Sequence, residues 1–507
     1  MSVPNRALVT RSARAGLRFR QLGSRSGWAT LLVFFGACGG TEPSVPTAVV
    51  LSPTSLSFTA IGEEQQLSPS ATDQDGNPID VAVSWSTSNA GVATVTQSGL
   101  VTARATGSAE ITATVGPVSA TAPVSVVQAP AQLQKISGDG QVGPAGQPLA
   151  APLVVQVNDA RGNPIAGVSV NFAVSGGGGR LSSSIGITAA NGRAATTVTV
   201  GNAAGLPQEI SATLPNTTIS STFTATAQAL PSSFDIEIQY LTPATASQQQ
   251  AFTDASLRWE GVIFGDLEET LLQANAGDCG DSPAFDRTVD DVVILVSLGS
   301  IDGRGGTLGQ ARPCYIRDPG DLTVLGFMQF DTDDLETVEA AGLLTEVIVH
   351  EMGHVLGFGS LWDLQQLLAG ASLPPTNGTD PHFIGNEARD AFDLIGGTTY
   401  TAGLKVPVEN MGGPGRADGH WRESVFDSEL MTGLIEGGQN PLSIVTLASL
   451  ADQGYLVNLA GADAFSLTLS LRAFGESRPM LQLTNDVMSG PIRKVDRRGK
   501  VTSEFRR

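Results

Sequence analysis

At 507 residues the chain exceeds one ordinary domain and predicts about three. With 59 glycines, 41% hydrophobic and only 6% aromatic residues, it suits loop-rich β domains and not a helical bundle. A formal net charge of -20 excludes a sequence-independent grip on nucleic-acid phosphates.

The first 26 residues hold six arginines and no acid. The apolar run WATLLVFFGA, Cys38 and then GGTEPSVPT follow, the outline of an export leader and a flexible spacer over 1–46. About ten apolar residues are too few to span a bilayer as a helix. The residues FGAC resemble the lipobox of bacterial lipoproteins, with Phe35 where that pattern usually has an aliphatic residue. The resemblance implies a lipid on Cys38 as the only membrane contact, on an exported envelope protein. Without the lipid, the leader is an ordinary signal and the protein is secreted. With it, Cys279 and Cys314 remain as a pair in a disulfide-permissive setting. Two buried free thiols are the alternative.

Residues 47–128 alternate short Val/Ile/Thr-rich runs with turn residues, as in SLSFTA, VAVSWSTS and AEITATV, which predicts an all-β sandwich. Residues 131–228 repeat the style. Asp73-x-x-Gly76-Asn77-Pro78-Ile79 recurs as Asp159-x-x-Gly162-Asn163-Pro164-Ile165, one sandwich later. Gly tolerates positive φ and Pro fixes the next φ, so each copy predicts a turn between strands. Trp85 and Phe172 follow as core aromatics. On SWSTSNAGVATVTQSGLVTARATGSAEITAT the first segment resembles bacterial immunoglobulin-like domains of group 2, and the second resembles the invasin type. Such modules are commonly spacers or adhesive stalks. Neither segment holds a histidine, a cysteine or a carboxylate cluster suited to chemistry.

From about residue 231 the style changes. ASQQQAFTDASLRWEGVIFG predicts an amphipathic helix with Phe252, Leu257, Trp259 and Val262 on one face. VDDVVILVSLGSI, 289–301, predicts a strand buried on both sides of a mixed sheet. GFMQF, 326–330, is a second strand. The acidic run Asp331, Asp333, Asp334 after it has two readings, a Ca²⁺ site and a solvated turn or helix start.

All four histidines fall between 350 and 420, a clustering that a metal site explains. In VIVHEMGHVLGFGSLW, His350 and His354 share one helix face and can address one ion, with Glu351 beside its open position. Zn²⁺ lowers the pKa of a bound water to about 7, and a neighbouring Glu can take the proton as that water attacks a carbonyl. Catalytic zinc generally has three protein ligands, so another is required. Gly357 can end the helix in a left-handed cap. HExxHxxG opens the metzincin pattern, yet no histidine stands at Phe358 to Ser360. His382 and His420 remain as candidates. Met431, eleven residues after His420, favours the latter because it suits a Met-turn beneath the metal; read alone it is a core residue.

On HEMGHVLGF (350–358), GHWRESVFDSELMTG (419–433) and IDGRGGTLGQARPC (301–314), residues 231–458 resemble the leishmanolysin family of metzincin metallopeptidases. In that family a long insertion separates the second and third zinc ligands. The resemblance implies a multidomain chain, two all-β sandwiches followed by an α+β metallopeptidase domain. It implies one Zn²⁺ per chain on His350, His354 and His420, Glu351 as general base, Met431 in the Met-turn, and protein or peptide substrates. It also implies an edge strand to which an extended peptide adds; GFMQF is the candidate, with an internal strand as the alternative. Glu423, Asp427 and Glu429 either orient His420 through its other ring nitrogen or are surface charges. His382 is expected to be an exposed loop histidine.

Protozoan surface members are cysteine-rich and carry a C-terminal glycolipid. This region has two cysteines and runs into basic RKVDRRGKVTSEFRR, so no such anchor is expected. With Cys38 the only upstream cysteine, latency through a cysteine is not expected either. Residues 459–507 read as a short β-rich region of unassigned role. The function implied is an exported zinc endopeptidase on a stalk; the alternative is an adhesin or structural envelope protein with an inactive metallopeptidase fold. Oligomeric state is not encoded in any of these signals.

Overall fold

The computed structural model describes residues 43–374, 376–437, 439–467, 480–483 and 485–506. The leader and Cys38 lie outside the described residues. Alternation builds the first sandwich: in Gly107–Val115 and Val118–Val126, Ala109, Ile111, Ala113 and Val115 pack inward with Ala122, Val124 and Val126. The two strands pair antiparallel inside a four-stranded sheet. Trp85 is half-buried against this core and not at its centre, whereas Phe172 of the second sandwich is fully inside. That second sandwich joins a three-stranded and a five-stranded sheet around one core.

Both copies of the repeated motif are side-chain-capped turns. Asp73 Oδ1 accepts the N–H groups of Asp75 and Asn77, and Asp159 Oδ1 accepts those of Arg161 and Asn163. Asp159 Oδ2 reaches further, accepting from Ile61 N and Gln128 Nε2, each at 3.0 Å. The second copy is therefore also the joint between the sandwiches.

A six-stranded mixed sheet organises the C-terminal half. In chain order its strands are β1 (Ile236–Tyr240), β2 (Val292–Gly299), β3 (Gly309–Arg317), β4 (Thr323–Asp331), β5 (Pro491–Val495) and β6 (Val501–Arg506); in space they run β1-β2-β4-β3-β5-β6. β2 is buried along nearly its whole length, as its aliphatic run requires for a strand covered on both faces. β4, which contains GFMQF, lies between β2 and antiparallel β3, so it is internal and not an edge. β5 pairs parallel with β3, and β6 pairs antiparallel with β5.

Helix α1 (Ala246–Glu260) begins in a capping box of Thr245 and Gln248. It buries Ala251, Phe252, Ala255 and Trp259, and Val262 just past the helix end packs in the same core; of the expected face only Leu257, 57% exposed, turns outward. Trp259 Nε1 donates to Val349 O at 3.0 Å, docking α1 on the motif helix. Asp331 caps α2 (Thr332–Ala340) and accepts the backbone N–H groups of Ile301, Asp302 and Gly303, while Asp334 accepts that of Gly305. The acidic run is a helix start that pins the preceding loop.

The second sandwich docks on this half by strand pairing of Ala203 with Val457 and by Glu387, whose carboxylate accepts from Asn202 N and Ala203 N. Among the described residues, no helix is long and apolar enough to cross a membrane.

Candidate metal centre

Helix α3 (Leu344–Leu356) is buried at every residue from Val347 onward, its polar positions His350, Glu351 and His354 included. Its four-residue spacing stacks His350 and His354 on one face, ring centroids 4.7 Å apart. Gly357 ends it at φ +118°, a left-handed cap open to glycine. Gly359, at φ +66°, then lets a returning chain pass against the helix end, since a Cβ there would stand 2.0 Å from the Gly419 carbonyl oxygen. The next residue is His420. The close glycine contact thus converts a 66-residue separation into spatial contact with His354.

The three Nε2 atoms form a triangle with edges of 3.0, 3.1 and 3.2 Å. Nitrogens bound tetrahedrally to one Zn²⁺ at about 2.0–2.1 Å stand about 3.3–3.4 Å apart, so the triangle fits one ion with little adjustment. Each Nδ1 donates to a backbone carbonyl: His350 to Leu430 O at 2.7 Å, His354 to Phe358 O at 2.8 Å, His420 to Arg416 O at 2.9 Å. A carbonyl can only accept, so each Nδ1 carries a proton and each Nε2 is the atom left to meet an ion; on His420 that atom faces the Asp486 carboxylate at 2.8 Å, to which it donates when no ion is bound. Three converging Nε2 atoms in a buried site fit a cation.

Burial lowers the pKa of His350 and, more strongly, of His354. Burial opposes the charge on His420 too, but the Asp486 carboxylate beside it outweighs that and raises its pKa. Glu351 is buried, and burial, reinforced by the charge of Asp486, pushes its pKa well above the usual carboxylate range. Neither of its carboxylate oxygens has a hydrogen-bond partner among the described residues. The carboxylate lies beside β3, where a Cβ on Gly309 would stand 3.2 Å from Glu351 Oε1. A buried carboxylate without partners is costly to a fold and is found where chemistry requires it.

Met431 is fully buried against α3; a Cβ on Gly353 would meet its Cε at 2.8 Å and its Sδ at 3.0 Å. The turn is fixed by Glu429, which accepts from Met431 N at 2.6 Å, Ser443 N at 3.1 Å, Ser443 Oγ at 2.7 Å and Thr446 Oγ1. Glu429 therefore holds the turn and does not orient His420, whose second nitrogen uses the Arg416 carbonyl. Glu423 and Asp427 gather with Glu436 in a separate acidic group. His382 is half-buried in the short strand His382–Phe383, its Nδ1 donating to Asp380 O, and stands outside the histidine cluster. Cys279 and Cys314 are joined as a disulfide that ties the loop after Ala274 to β3.

One member of the cluster has no signal in the spacing. Asp486 Oδ2 lies 2.8 Å from His420 Nε2, 3.3 Å from His350 Nε2 and 3.9 Å from His354 Nε2, fully buried. The histidines hold its pKa well below the usual range against the opposing effect of burial. Only the strand-like runs after residue 480 hint that this segment returns to the sheet.

Residues 286–469 match the family model described as leishmanolysin, peptidase M8. Residues 46–126 match the bacterial Ig-like domain of group 2, and 145–228 that of group 1. The chain is thus two bacterial Ig-like domains followed by a leishmanolysin-type peptidase domain. No curated protein matches the chain. Similar solved structures include domains 5–6 of the S-layer protein SbsC (21% identity, 36% of this chain and 99% of that chain, TM-score 0.16). The Yersinia pseudotuberculosis adhesin InvE matches at 18% identity over 37% of this chain and 61% of that one, TM-score 0.22. The D0-D1 domain of Intimin matches at 19% identity over 36% and 95%, TM-score 0.16.

Proposed function

We propose that the chain is an exported zinc-dependent endopeptidase carried on an Ig-like stalk. The observation that carries this reading is the triangle of three Nε2 atoms together with the unpartnered Glu351 carboxylate on the helix of His350 and His354. His350, His354 and His420 would hold one Zn²⁺, which when bound supplies a Lewis acid and a lowered pKa for water. Glu351 takes a proton from the water whose oxygen bonds to the peptide carbonyl carbon. It returns that proton to the amide nitrogen as the C–N bond breaks. The backbone carbonyls on the three Nδ1 atoms fix ring tautomer and direction, so the ligand face is set before any ion arrives.

The second reading is a non-enzymatic surface protein with a structural metal. Asp486 favours it, because four protein donors are the mark of a closed, structural zinc site. The Ig-like domains support a location outside the cytoplasm under either reading, and a lipid on Cys38 is the one membrane contact proposed. Mass spectrometry of the mature N-terminus reads that directly.

The test uses the full chain: zinc content, and chelator-sensitive cleavage of a denatured protein. One zinc per chain is expected. His420→Ala abolishes it while His382→Ala retains it, and the reverse pattern would reassign the third ligand. Glu351→Gln keeps the metal and loses roughly 10²–10⁴-fold in turnover. Zinc at one per chain with no cleavage, by wild type or by Asp486→Ala, decides for the second reading.

A further inference from the structure

The tail segment 485–490 crosses the histidine cluster before the chain enters the sheet as β5. Residues 486–488 run along β3: Ala311 N donates to Asp486 O at 2.7 Å, and Met488 N donates to Ala311 O at 3.0 Å. Arg312 Nη1 holds the Pro491 carbonyl at 2.8 Å, and β5 continues the parallel pairing from Tyr315 to Arg317. On the opposite wall Val487 N donates to Gly415 O at 3.2 Å. These are the contacts an extended peptide makes when it adds to an exposed strand, and here the chain makes them with itself. The pairing sets Asp486 Oδ2 and the three Nε2 atoms at the corners of a distorted tetrahedron, with edges from 2.8 to 3.9 Å.

We propose that Asp486 is the fourth protein donor of the metal centre and that residues 485–490, ahead of β5, are an internal inhibitor seated in the substrate position. The inference rests on the metal-centre reading above. The group that meets the three nitrogens is a side-chain carboxylate and not a peptide carbonyl, so the tail occupies the site without offering a bond to cut. Glu351, walled in behind it, has no hydrogen-bond partner among the described residues. Beside the tail runs a cleft of about 580 Å³ lined by Gln310, Leu368, Asp418, Val487 and Arg506, so displacement of the tail would widen an existing groove. A free cysteine is not needed for this closure.

The experiment loads full-length protein with Co²⁺ and records its visible absorption with and without acetohydroxamate, a small chelating probe for a free coordination position. In wild type the probe leaves the spectrum unchanged. In Asp486→Ala it shifts the spectrum, and chelator-sensitive cleavage of a denatured protein rises at least tenfold. Asp486→Asn, closer in shape, moves in the same direction and serves if the alanine variant does not fold. Adding Glu351→Gln to Asp486→Ala removes the gained cleavage. A wild-type spectrum that responds to the probe as the variant does overturns the proposal. So does a variant whose spectrum opens while its cleavage stays at the wild-type level, which leaves a structural four-donor site. Wild type that takes up no metal refutes the underlying metal-centre reading; wild type with one metal and an open position refutes this inference alone.

Discussion

Glu429 accepts hydrogen bonds from both Met431 and Ser443 backbones and from the hydroxyls of Ser443 and Thr446, in a fully buried pocket. Leu430, between Glu429 and Met431, supplies the carbonyl that fixes His350. Glu429→Gln replaces one acceptor oxygen by a donor and leaves buried donors facing it, at about 1–3 kcal/mol each. The expected result is a fall in unfolding free energy of roughly 2 kcal/mol or more by urea denaturation. Metal affinity by chelator competition should drop by about tenfold or more. Unchanged affinity would separate Glu429 from the centre. At this scale the local signals were readable: the two motif histidines, Glu351, His420 and Met431 come from short spacings and a family pattern. The partners of the Nδ1 atoms are all backbone carbonyls, which no side-chain pattern encodes, and so the acids around His420 were open to the wrong role. Asp486 joins only through tertiary closure.

The elements around the centre depend on two glycines that let a helix stop and a distant segment return. Gly359 combines φ +66° with a Cβ position 2.0 Å from the Gly419 carbonyl oxygen. Gly359→Ala must push the 419–420 segment away from the end of α3, which carries its own two histidines intact. The prediction is near-native far-UV circular dichroism with metal affinity lowered by at least about tenfold, the range for disturbing a ligand's support. Native affinity would show that the segment tolerates the displacement. The sequence made α3 and β2 readable because each is long and strongly patterned. It left β4 open between edge and interior because neighbours in a sheet are set by pairing, and β3 arrives through a glycine-rich loop with weak periodicity. The exposed Leu257 has a similar origin: α1 packs through small residues Ala251 and Ala255, which a search for large apolar side chains passes over.

Across the whole molecule, rigidity is passed through two joints of different chemistry. The second sandwich and the peptidase half share backbone pairing at Ala203 and Val457, and Phe264 enters the sandwich core, so these two share one packed interface. The two sandwiches are joined through Asp159, which caps its own turn with Oδ1 and accepts Ile61 N and Gln128 Nε2 with Oδ2. Burial would raise its pKa, but the hydrogen bonds from Gln128, Asn163 and Ile61 outweigh it and bring the carboxyl down to about 2 from an ordinary 3.8. A depressed carboxylate contributes its stabilisation fully above its unfolded value and loses it as pH falls through the folded one. The joint is therefore intact above about pH 4 and loosens between about pH 4 and 2. Asp159→Ala should loosen it at neutral pH, seen in small-angle scattering as a broader distance distribution with unchanged metal content. Asp73 provides the internal control, since it caps the equivalent turn of the first sandwich through Oδ1. Asp73→Ala should weaken that turn and leave the scattering profile as in wild type. Equal profiles for Asp159→Ala and wild type would mean that the sandwiches are held by contacts other than this carboxylate.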